Sequence, residues 1–303
     1  METSNTDRNV EVLQNELAAY IREDATVDWS DPGMPKSPIK EITPGLEANA
    51  YYFGHPEWAA NYFKYCHRNK RFQSRWKAAT GPWDDRIVVD IGCGPGNIFA
   101  SVKGKPRLLI GVDVSEGGLR MAEKLGYRPL LADAHALPLK DGFADLVVLN
   151  ATLHHCDHME DVLREAARLV KPGGLLVSDH DPQHSAWNFK GIAWLLWQAR
   201  LLIYRVIKKG FHRSGNEQSC VLTSEIHHDA GKGLTREMFH NILEPLGFEV
   251  QIHPHNHNLG SEVLDGNWGR SERKYRIAQW LSGVNPDSPA GALSLMCVAR
   301  RVR

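Results

Sequence analysis

The sequence predicts an α/β fold with a doubly wound, mostly parallel sheet of seven strands. Short apolar runs, of the kind found in strands buried on both faces, alternate with segments of helical periodicity. The first run, residues 87–91, passes directly into a turn with glycine at every second position, at Gly92, Gly94 and Gly96. Alternation of this kind is typical of a parallel sheet covered by helices on both faces.

The predicted elements follow one another along the chain. The strands are residues 87–91, 108–112, 128–132, 145–150, 175–179, 248–253 and 292–300. The helices of the sheet region are residues 95–103, 116–125, 159–170 and 235–246. Gly247 suits the C-terminal end of the last helix. Upstream, residues 56–79 have a helical pattern, and residues 1–48 are polar with one short helix at 9–22.

The glycine turn differs from the common phosphate-binding loops. A dinucleotide fingerprint reads G-x-G-x-x-G, whereas the third glycine here comes one residue early and Asn97 stands in its place. A P-loop would end in Gly-Lys-Ser/Thr, which does not follow. Because glycine has no Cβ, the backbone can still approach a ligand closely. The turn therefore suits a nucleoside with a zwitterionic tail like that of an amino acid.

Asp113 closes the second predicted strand, 21 residues beyond Gly92. A carboxylate at the tip of this strand can accept hydrogen bonds from both hydroxyls of a ribose. The alternative is a carboxylate that only stabilises a helix N-terminus, since Ser115 and Glu116 begin a helix. The spacing favours the ribose.

Together these motifs resemble the class I S-adenosylmethionine-dependent methyltransferases, most strongly their ubiquinone-methyltransferase-like branch. Residues 90–96 are similar to the first motif of that family, and Gly-Val-Asp113-Val to the second. Residues 133–138 and 145–150 resemble the adenine-binding acid of the third strand and the fourth strand. Residues 169–177 resemble the turn into the fifth strand, and Leu153-His154-His155 also has a counterpart. The resemblance covers residues 86–182 and, weakly, 234–300.

This resemblance implies a Rossmann-like class I methyltransferase fold, methyl transfer as the activity and S-adenosyl-L-methionine as the cofactor. It implies cofactor contacts from the motif residues, namely Asp90, Gly92, Cys93, Gly94, Gly96, Asp113, Val114, Asp133, Ala134 and Asn150. We expect an N-terminal extension with lid helices over residues 1–85. The methyltransferase domain is then residues 86–303, with a helical insertion at 183–233.

Histidines follow several of the predicted strands, whose carboxyl ends open on the ligand side of a doubly wound sheet. A hydroxyl acceptor must lose a proton, and a histidine with a pKa near the operating pH can take it. The candidates are His154, His155 and His180, with simple lining of the pocket as the alternative role. No His-Glu-x-x-His or comparable ligand pattern appears, so we expect no metal.

The insertion contains a helical segment at residues 187–211 with an aliphatic face and an aromatic, basic face. We expect the aliphatic face to pack on the body of the protein. Trp194, Trp197 and Tyr204 on the other face would then bind the acceptor, with core packing or a peripheral membrane contact as alternatives. The longest charge-free run, residues 191–199, is far below the ~20 residues of a transmembrane helix.

Composition disfavours nucleic acid as a partner. The chain has 36 basic and 36 acidic side chains, which leaves no overall field to attract phosphates. Residues 58–83 do interleave basic and aromatic side chains, so an RNA methyltransferase remains an alternative. A non-catalytic S-adenosylmethionine-binding protein is another. The main prediction is methyl transfer to a small-molecule or lipid-like acceptor, with the acceptor atom left open between O, N and C.

The remaining sequence features bear on the compartment. The 5 cysteines are odd in number and lack C-x-x-C spacing, which indicates neither a disulfide framework nor a zinc site. The N-terminus has no apolar segment of the secretory type. We therefore expect a cytoplasmic protein.

Overall fold

A single sheet of seven strands forms the centre of the protein. The computed structural model describes residues 16–31, 33–206, 215–224 and 233–303, without the side chains of residues 201–205, 217 and 221. The strands are β1 (Ile87–Ile91), β2 (Leu108–Asp113), β3 (Arg128–Leu131), β4 (Ala144–Asn150), β5 (Val170–Pro182), β6 (Phe248–His255) and β7 (Ser294–Arg301). Their order is β3-β2-β1-β4-β5-β7-β6, and only β7 runs antiparallel to its neighbours. This confirms the predicted doubly wound, mostly parallel sheet.

Helices cover the sheet and extend from its N-terminal side. They are α1 (Pro44–Gly54), α2 (Pro56–Tyr62), α3 (Lys70–Thr80), α4 (Asn97–Val102), α5 (Glu116–Glu123), α6 (Met159–Leu169), α7 (His184–Trp187), α8 (Gly191–Val206), α9 (Gly215–Ser224), α10 (Arg236–Leu243) and α11 (Arg273–Leu281). α1 lies against α5 and α9, and α8 packs on α11.

Alternate residues of β1 point to opposite faces of the sheet, as the strand geometry requires. Val89 and Ile91 belong to a hydrophobic cluster on one face, while Val88 belongs to the cluster on the other. All five residues of β1 are buried, which explains the continuous apolar run in the sequence. Because β1, β2 and β4 run parallel to one another, their carboxyl ends meet at one edge of the sheet.

Two elements differ from their predicted extents. The helix expected at 56–79 is interrupted by a π-helical turn, Phe63–His67, and starts again where the Asn69 side chain accepts a hydrogen bond of 2.7 Å from the Phe72 amide. β5 runs beyond residue 179 because its register with β7 shifts between Ser178 and Asp181 and pairing then resumes. The irregularity is a bulge, and bulges often re-aim side chains near active sites.

Within the described part of the chain, no helix is long and apolar enough to cross a membrane.

Candidate active site

A cleft with about 890 Å³ of empty space opens at the carboxyl ends of β1, β2 and β4, and we call it the β1–β4 cleft. The strand order reverses between these strands, which is where doubly wound sheets bind ligands. Nine of the ten residues expected to contact a cofactor line it: Asp90, Gly92, Cys93, Gly94, Asp113, Val114, Asp133, Ala134 and Asn150.

Gly96, the tenth residue, does not line the cleft. It has a φ of +81° and directly precedes α4, and a Cβ at this position would lie 2.8 Å from the Tyr127 ring. Its glycine is therefore needed for the turn and for the packing behind it, and its expected contact with a cofactor stays a prediction.

The loop after β1 lies close against the end of β4. Gly92 has a φ of +69°, and a Cβ there would approach the Thr152 methyl group to 2.5 Å. The Thr152 hydroxyl is fixed by a hydrogen bond of 3.0 Å that it donates to the Ile91 carbonyl. Only glycine combines this backbone angle with this close approach.

Asp113 stabilises the start of α5 and also lines the cleft, so its binding of a ribose stays a prediction. Its Oδ2 accepts a hydrogen bond of 2.7 Å from the Gly94 amide, and its Oδ1 accepts one of 2.8 Å from Ser115, the N-cap of α5. Burial raises the pKa of the carboxyl, although these backbone hydrogen bonds act in the opposite direction. Each carboxylate oxygen can accept more than one hydrogen bond, so both can still bind a hydroxyl in the cleft.

Asp90 is the most deeply buried acid of the cleft. Its Oδ2 accepts a hydrogen bond of 2.6 Å from the Tyr127 hydroxyl, whereas its Oδ1 has no partner among the described residues. Burial raises the pKa of Asp90 to about 8, the Asp113 charge adds to this, and the Tyr127 hydrogen bond opposes it. A buried carboxylate with an unsatisfied oxygen is a site that a cationic ligand would stabilise.

Asp133 lies at another part of the cleft, beyond β3. Its Oδ1 accepts a hydrogen bond of 3.0 Å from the His135 amide and lies 2.6 Å from His135 Nδ1. Burial would raise the pKa of Asp133, but the contacts with His135 outweigh it and lower the pKa. The carboxylate is therefore held ionised and oriented. Its Oδ2 takes no part in these two contacts.

Residues upstream of the sheet line the cleft on its open side, in the region expected to hold lid helices, although the sequence did not indicate which residues would do so. Five of them line it: Leu46, Asn49 and Phe53 of α1, Tyr62 of α2, and His67 of the π-helical turn. The Asn49 side chain donates a hydrogen bond of 3.4 Å to the His155 carbonyl, so α1 is tied to the loop after β4.

His67 contacts the side chain of Asn150, the last residue of β4. Its Nε2 lies 2.7 Å from the Asn150 side-chain nitrogen, while the Asn150 oxygen lies 3.3 Å from His180 Nδ1. If the amide donates to His67 and accepts from His180, both imidazoles have defined tautomers. Burial lowers the pKa of His67 to about 3 and that of His180 well below its usual range, so both rings are neutral.

Backbone strain is concentrated at this place. Within the described residues, five non-glycine residues have positive φ, and three of them lie near these strand ends. Ala151, at +54°, follows β4, His180, at +66°, lies in the bulge of β5, and His257, at +63°, follows β6. The His180 and His257 rings stack with centroids 4.6 Å apart and an interplanar angle of 9°. Strain of this kind costs about 1–3 kcal/mol per residue and is found preferentially at functional sites.

A buried ion pair supports the strained strand ends. Arg75 of α3 donates a hydrogen bond of 2.9 Å to Asp179 Oδ2, and His255 Nε2 lies 2.6 Å from Asp179 Oδ1. All three side chains are fully buried. The pKa of Asp179 lies well below its usual range because the attraction of Arg75 and His255 outweighs burial. This contact joins the N-terminal segment to β5 and β6.

The three candidate bases occupy different places. His155 lines the β1–β4 cleft, and its Nδ1 donates a hydrogen bond of 2.8 Å to the Ser224 carbonyl. His154 is buried behind it, with Nδ1 2.8 Å from Asp181 Oδ1. His180 lies behind Asn150 and does not line the cleft itself. The sequence grouped all three at strand ends but could not rank them, because their orientations depend on the distant partners.

The insertion helix α8 is turned opposite to the expectation. Its aliphatic residues are exposed, with Ile192 at 62% and Leu195 at 60%, and Trp194 is 45% exposed. Trp197 faces inward and packs 4.9 Å from Phe189, between ring centroids. Neither tryptophan lines the β1–β4 cleft, and the Tyr204 side chain lies outside the described residues.

The basic and aromatic segment at 58–83 is divided between core and surface. Phe72 and Trp76 are buried in the hydrophobic cluster on one face of the sheet, and Arg75 is in its buried ion pair. Lys64, Arg68, Lys70 and Arg71 are exposed. Phe72 and Trp76 are therefore unavailable for stacking on bases, whereas Tyr65 is exposed.

No group of three or more His, Cys, Asp or Glu side chains within the described ranges is arranged to hold a metal ion.

Comparison with known proteins finds similarity over the strands that form this cleft. Residues 89–178 match the protein family described as Methyltransferase domain. This match covers 90 of the 303 residues. The predicted resemblance to the ubiquinone-methyltransferase-like branch, with S-adenosylmethionine as cofactor, is thus confirmed at the level of the domain.

Individual relatives are similar over this domain alone. The ubiquinone biosynthesis O-methyltransferase of Ralstonia nicotianae is 32% identical over 129 residues, which are 40% of this chain and 54% of that protein. The tRNA (carboxymethyluridine(34)-5-O)-methyltransferase of Mus musculus is 34% identical over 91 residues, 29% of this chain and 13% of that protein. The chain thus spans about half the length of the first relative and a small part of the second.

Among solved structures, the cyclase SpnF superimposes with a TM-score of 0.50 at 17% identity, over 87% of this chain and 97% of SpnF. At this identity the similarity shows the fold alone.

Proposed function

We propose that the protein transfers the methyl group of S-adenosyl-L-methionine to a small-molecule or lipid-like acceptor beside the end of β4. The observation that carries this proposal is the set of three carboxylates, Asp90, Asp113 and Asp133, along one closed cleft in a methyltransferase domain.

The cleft residues fit the three chemical parts of this donor. The unpartnered Asp90 oxygen suits its positive charge, and the two oxygens of Asp113 suit the ribose hydroxyls. Asp133, held ionised by His135, suits the amino group of adenine. When bound, the donor supplies a methyl group that is already activated by its positively charged sulfur.

The protein therefore has mainly to exclude water and to orient the acceptor. Phe53, Tyr62 and His67 from the N-terminal segment close the cleft above the loop after β1. We infer that residues 44–67 act as the lid of the site. The side chain of Asn150, fixed between His67 and His180, lies at the junction of the donor cleft and the strained histidines.

His180 is the base that the geometry favours for a hydroxyl acceptor. Its Nδ1–H is directed at the Asn150 oxygen, which leaves the Nε2 lone pair to receive a proton. The acceptor oxygen forms its bond to the methyl carbon while its proton moves to Nε2, and the sulfur keeps the electron pair of the broken bond. Burial lowers the pKa of His180 well below its usual range, so the lone pair is present at neutral pH but belongs to a weaker base than a free imidazole.

Two alternatives rest on specific observations. The tRNA-modifying relative and the exposed cations of residues 64–71 support an RNA acceptor, although Phe72 and Trp76 are buried. A protein of this fold that does not transfer methyl groups is the second alternative.

A labelled-donor experiment separates these functions. The protein would be incubated with methyl-labelled S-adenosylmethionine and either a small-molecule extract or a tRNA fraction, with His180→Gln as the control. We expect S-adenosylhomocysteine and a labelled small molecule with the native protein, and at least 100-fold less with the variant. Label in tRNA would support the first alternative, and donor binding without any transfer would support the second.

A further inference from the structure

A second cleft, with about 1020 Å³ of empty space, opens on the far side of the stacked histidines. The start of α3 forms one wall with Asn69, Lys70 and Arg71, and the segment after β6 forms the other with residues 256–258. Arg270, Glu272 and Tyr275, at the start of α11, complete it. We call this the basic cleft.

The charges of the basic cleft do not cancel. Three cations, Lys70, Arg71 and Arg270, face one carboxylate, Glu272. Arg270 also contacts Asp287 at 3.8 Å, and Glu272 is paired with Lys274 at 3.2 Å. Neither Lys70 nor Arg71 forms an ion pair with any residue that the structure describes. Two cations on one wall without a carboxylate partner favour an anionic ligand.

The floor of the basic cleft is rigid. The buried Asn256 side chain donates a hydrogen bond of 3.1 Å to the Trp268 carbonyl and accepts one of 3.1 Å from the Leu293 amide. Tyr275 is backed by Trp197 of the insertion, with ring centroids 5.5 Å apart. The insertion thus reaches this cleft through Tyr275.

The two clefts share a thin partition. His257 lines the basic cleft and stacks on His180, which contacts Asn150 in the wall of the β1–β4 cleft. On the other side, His67 lines the β1–β4 cleft and Asn69, two residues later, lines the basic cleft. The stacked rings of His257 and His180 thus lie between the basic cleft and Asn150, the last residue of β4.

We propose that the basic cleft binds a carboxylate or phosphate group of the methyl acceptor, with Lys70 and Arg71 as its cationic partners. The rest of the acceptor then extends past the His180–His257 stack toward the end of β4. This inference rests on the proposed function, because it identifies the acceptor as an anionic molecule.

Ligand-observed saturation-transfer NMR on the full chain tests the proposal without knowledge of the acceptor. The probes are benzoate, phenyl phosphate and, as a neutral control of similar shape, benzamide. The test variant is Lys70→Ala/Arg71→Ala. The matched control is Arg68→Ala/Lys77→Ala, which removes two exposed cations of the segment 58–83 that lie outside the lid and do not line the basic cleft. Calorimetry with S-adenosylhomocysteine on each protein reports separately on the β1–β4 cleft.

We expect at least one anionic probe to show saturation transfer with the native protein and the control variant, and at least fivefold less with the test variant. Benzamide should show only weak saturation transfer with the native protein and with both variants. A benzoate response assigns a carboxylate, and a phenyl phosphate response a phosphate. Absence of anion binding at millimolar concentration, or equal binding to the test variant, would overturn the inference. Failure of S-adenosylhomocysteine to bind would instead overturn the proposed function.

A second readout uses the labelled product. Its methyl label should be retained on an anion exchanger at neutral pH, and a neutral or cationic product would contradict the proposal.

Discussion

The hydroxyl of Tyr127 and the carboxyl of Asp90 form a buried hydrogen bond of 2.6 Å behind the glycine loop. The hydroxyl satisfies only one carboxyl oxygen, and burial keeps the pKa of Asp90 near 8. At neutral pH the ligand-free protein therefore carries this group mostly protonated. A cation in the cleft would favour the ionised form, so that donor binding and proton release are linked.

The first prediction is that donor affinity depends on pH through Asp90. Since the bound donor lowers the pKa of Asp90 from about 8, affinity should rise with pH, by up to about tenfold per unit, and level off above pH 8. Calorimetry in buffers of different ionisation enthalpy measures the released proton. Tyr127→Phe, which removes a hydrogen bond to the carboxylate, should move the rise to higher pH.

The matched variant is Asp90→Asn, which has no proton to release. This variant should lose the part of the pH dependence that comes from Asp90. It should retain the part that comes from the amino group of the donor, whose pKa is about 7.7. An unchanged pH profile in this variant would contradict the assignment.

The same group predicts a stability effect in the ligand-free protein. The folded pKa of Asp90 lies above its unfolded value, so its contribution is present at low pH and is lost as the pH rises from about 4 to about 8. At pH 8, Asp90→Asn should therefore unfold with a free energy about 1–3 kcal/mol higher than the native protein. Urea denaturation at pH 5 and pH 8 measures the difference, which should be small at pH 5.

A glycine pair tests how closely the loop approaches β4. Gly92→Ala meets both a left-handed backbone and the Thr152 side chain, whereas Gly126→Ala has a φ of +100° and open space around its Cβ. Gly126→Ala should cost only the backbone strain, about 1–2 kcal/mol. Gly92→Ala should cost more and weaken donor binding at least tenfold. Equal stability losses and unchanged donor affinity would show that the loop relaxes freely.

Two substitutions of His180 separate its strain from its chemistry. His180→Gly and His180→Ala both remove the imidazole, but only glycine suits the φ of +66°. The glycine variant should be more stable than the alanine variant by about 1 kcal/mol in urea denaturation. Both should lower kcat at least 100-fold and leave donor affinity within twofold. If both variants retain the kcat of the native protein, His180 is not the base.

The sequence predicted well which strand-end residues line the β1–β4 cleft, and predicted poorly how the histidines around Asn150 are arranged. Asp113 and Asp133 follow buried strands, so the parallel sheet alone brings them to one edge. His67 was missed because it reaches Asn150 from 83 residues upstream, which no local pattern reveals. The stack of His180 on His257 likewise depends on the bulge in β5, which periodicity does not predict.

The orientation of α8 was wrong for a different reason. The segment has two apolar faces, one aliphatic and one aromatic, and periodicity identifies faces without ranking them. Trp187, Phe189 and Tyr275 come from three separate elements and together create the pocket for Trp197. The packing was thus decided by residues distant in sequence.

Two tryptophan variants test this orientation. Trp197→Ala should lower the free energy of unfolding by about 2 kcal/mol, because it empties part of an aromatic cluster. Trp194→Ala, at an exposed position, should change it by less than about 0.5 kcal/mol. Urea denaturation measures both, and donor affinity should stay unchanged in each. The reverse order of stabilities would mean that the aliphatic face is the buried one.

The most direct test of the account is donor binding to Asp113 variants by calorimetry. Asp113→Ala removes the carboxylate that would bind the ribose, and Asp113→Asn keeps its size but replaces one acceptor oxygen with a donor. S-adenosylmethionine should bind the native protein, and bind Asp113→Ala at least tenfold more weakly, with Asp113→Asn in between. An affinity within twofold of native in Asp113→Ala, or no binding to the native protein, would contradict the assignment of this cleft to the methyl donor.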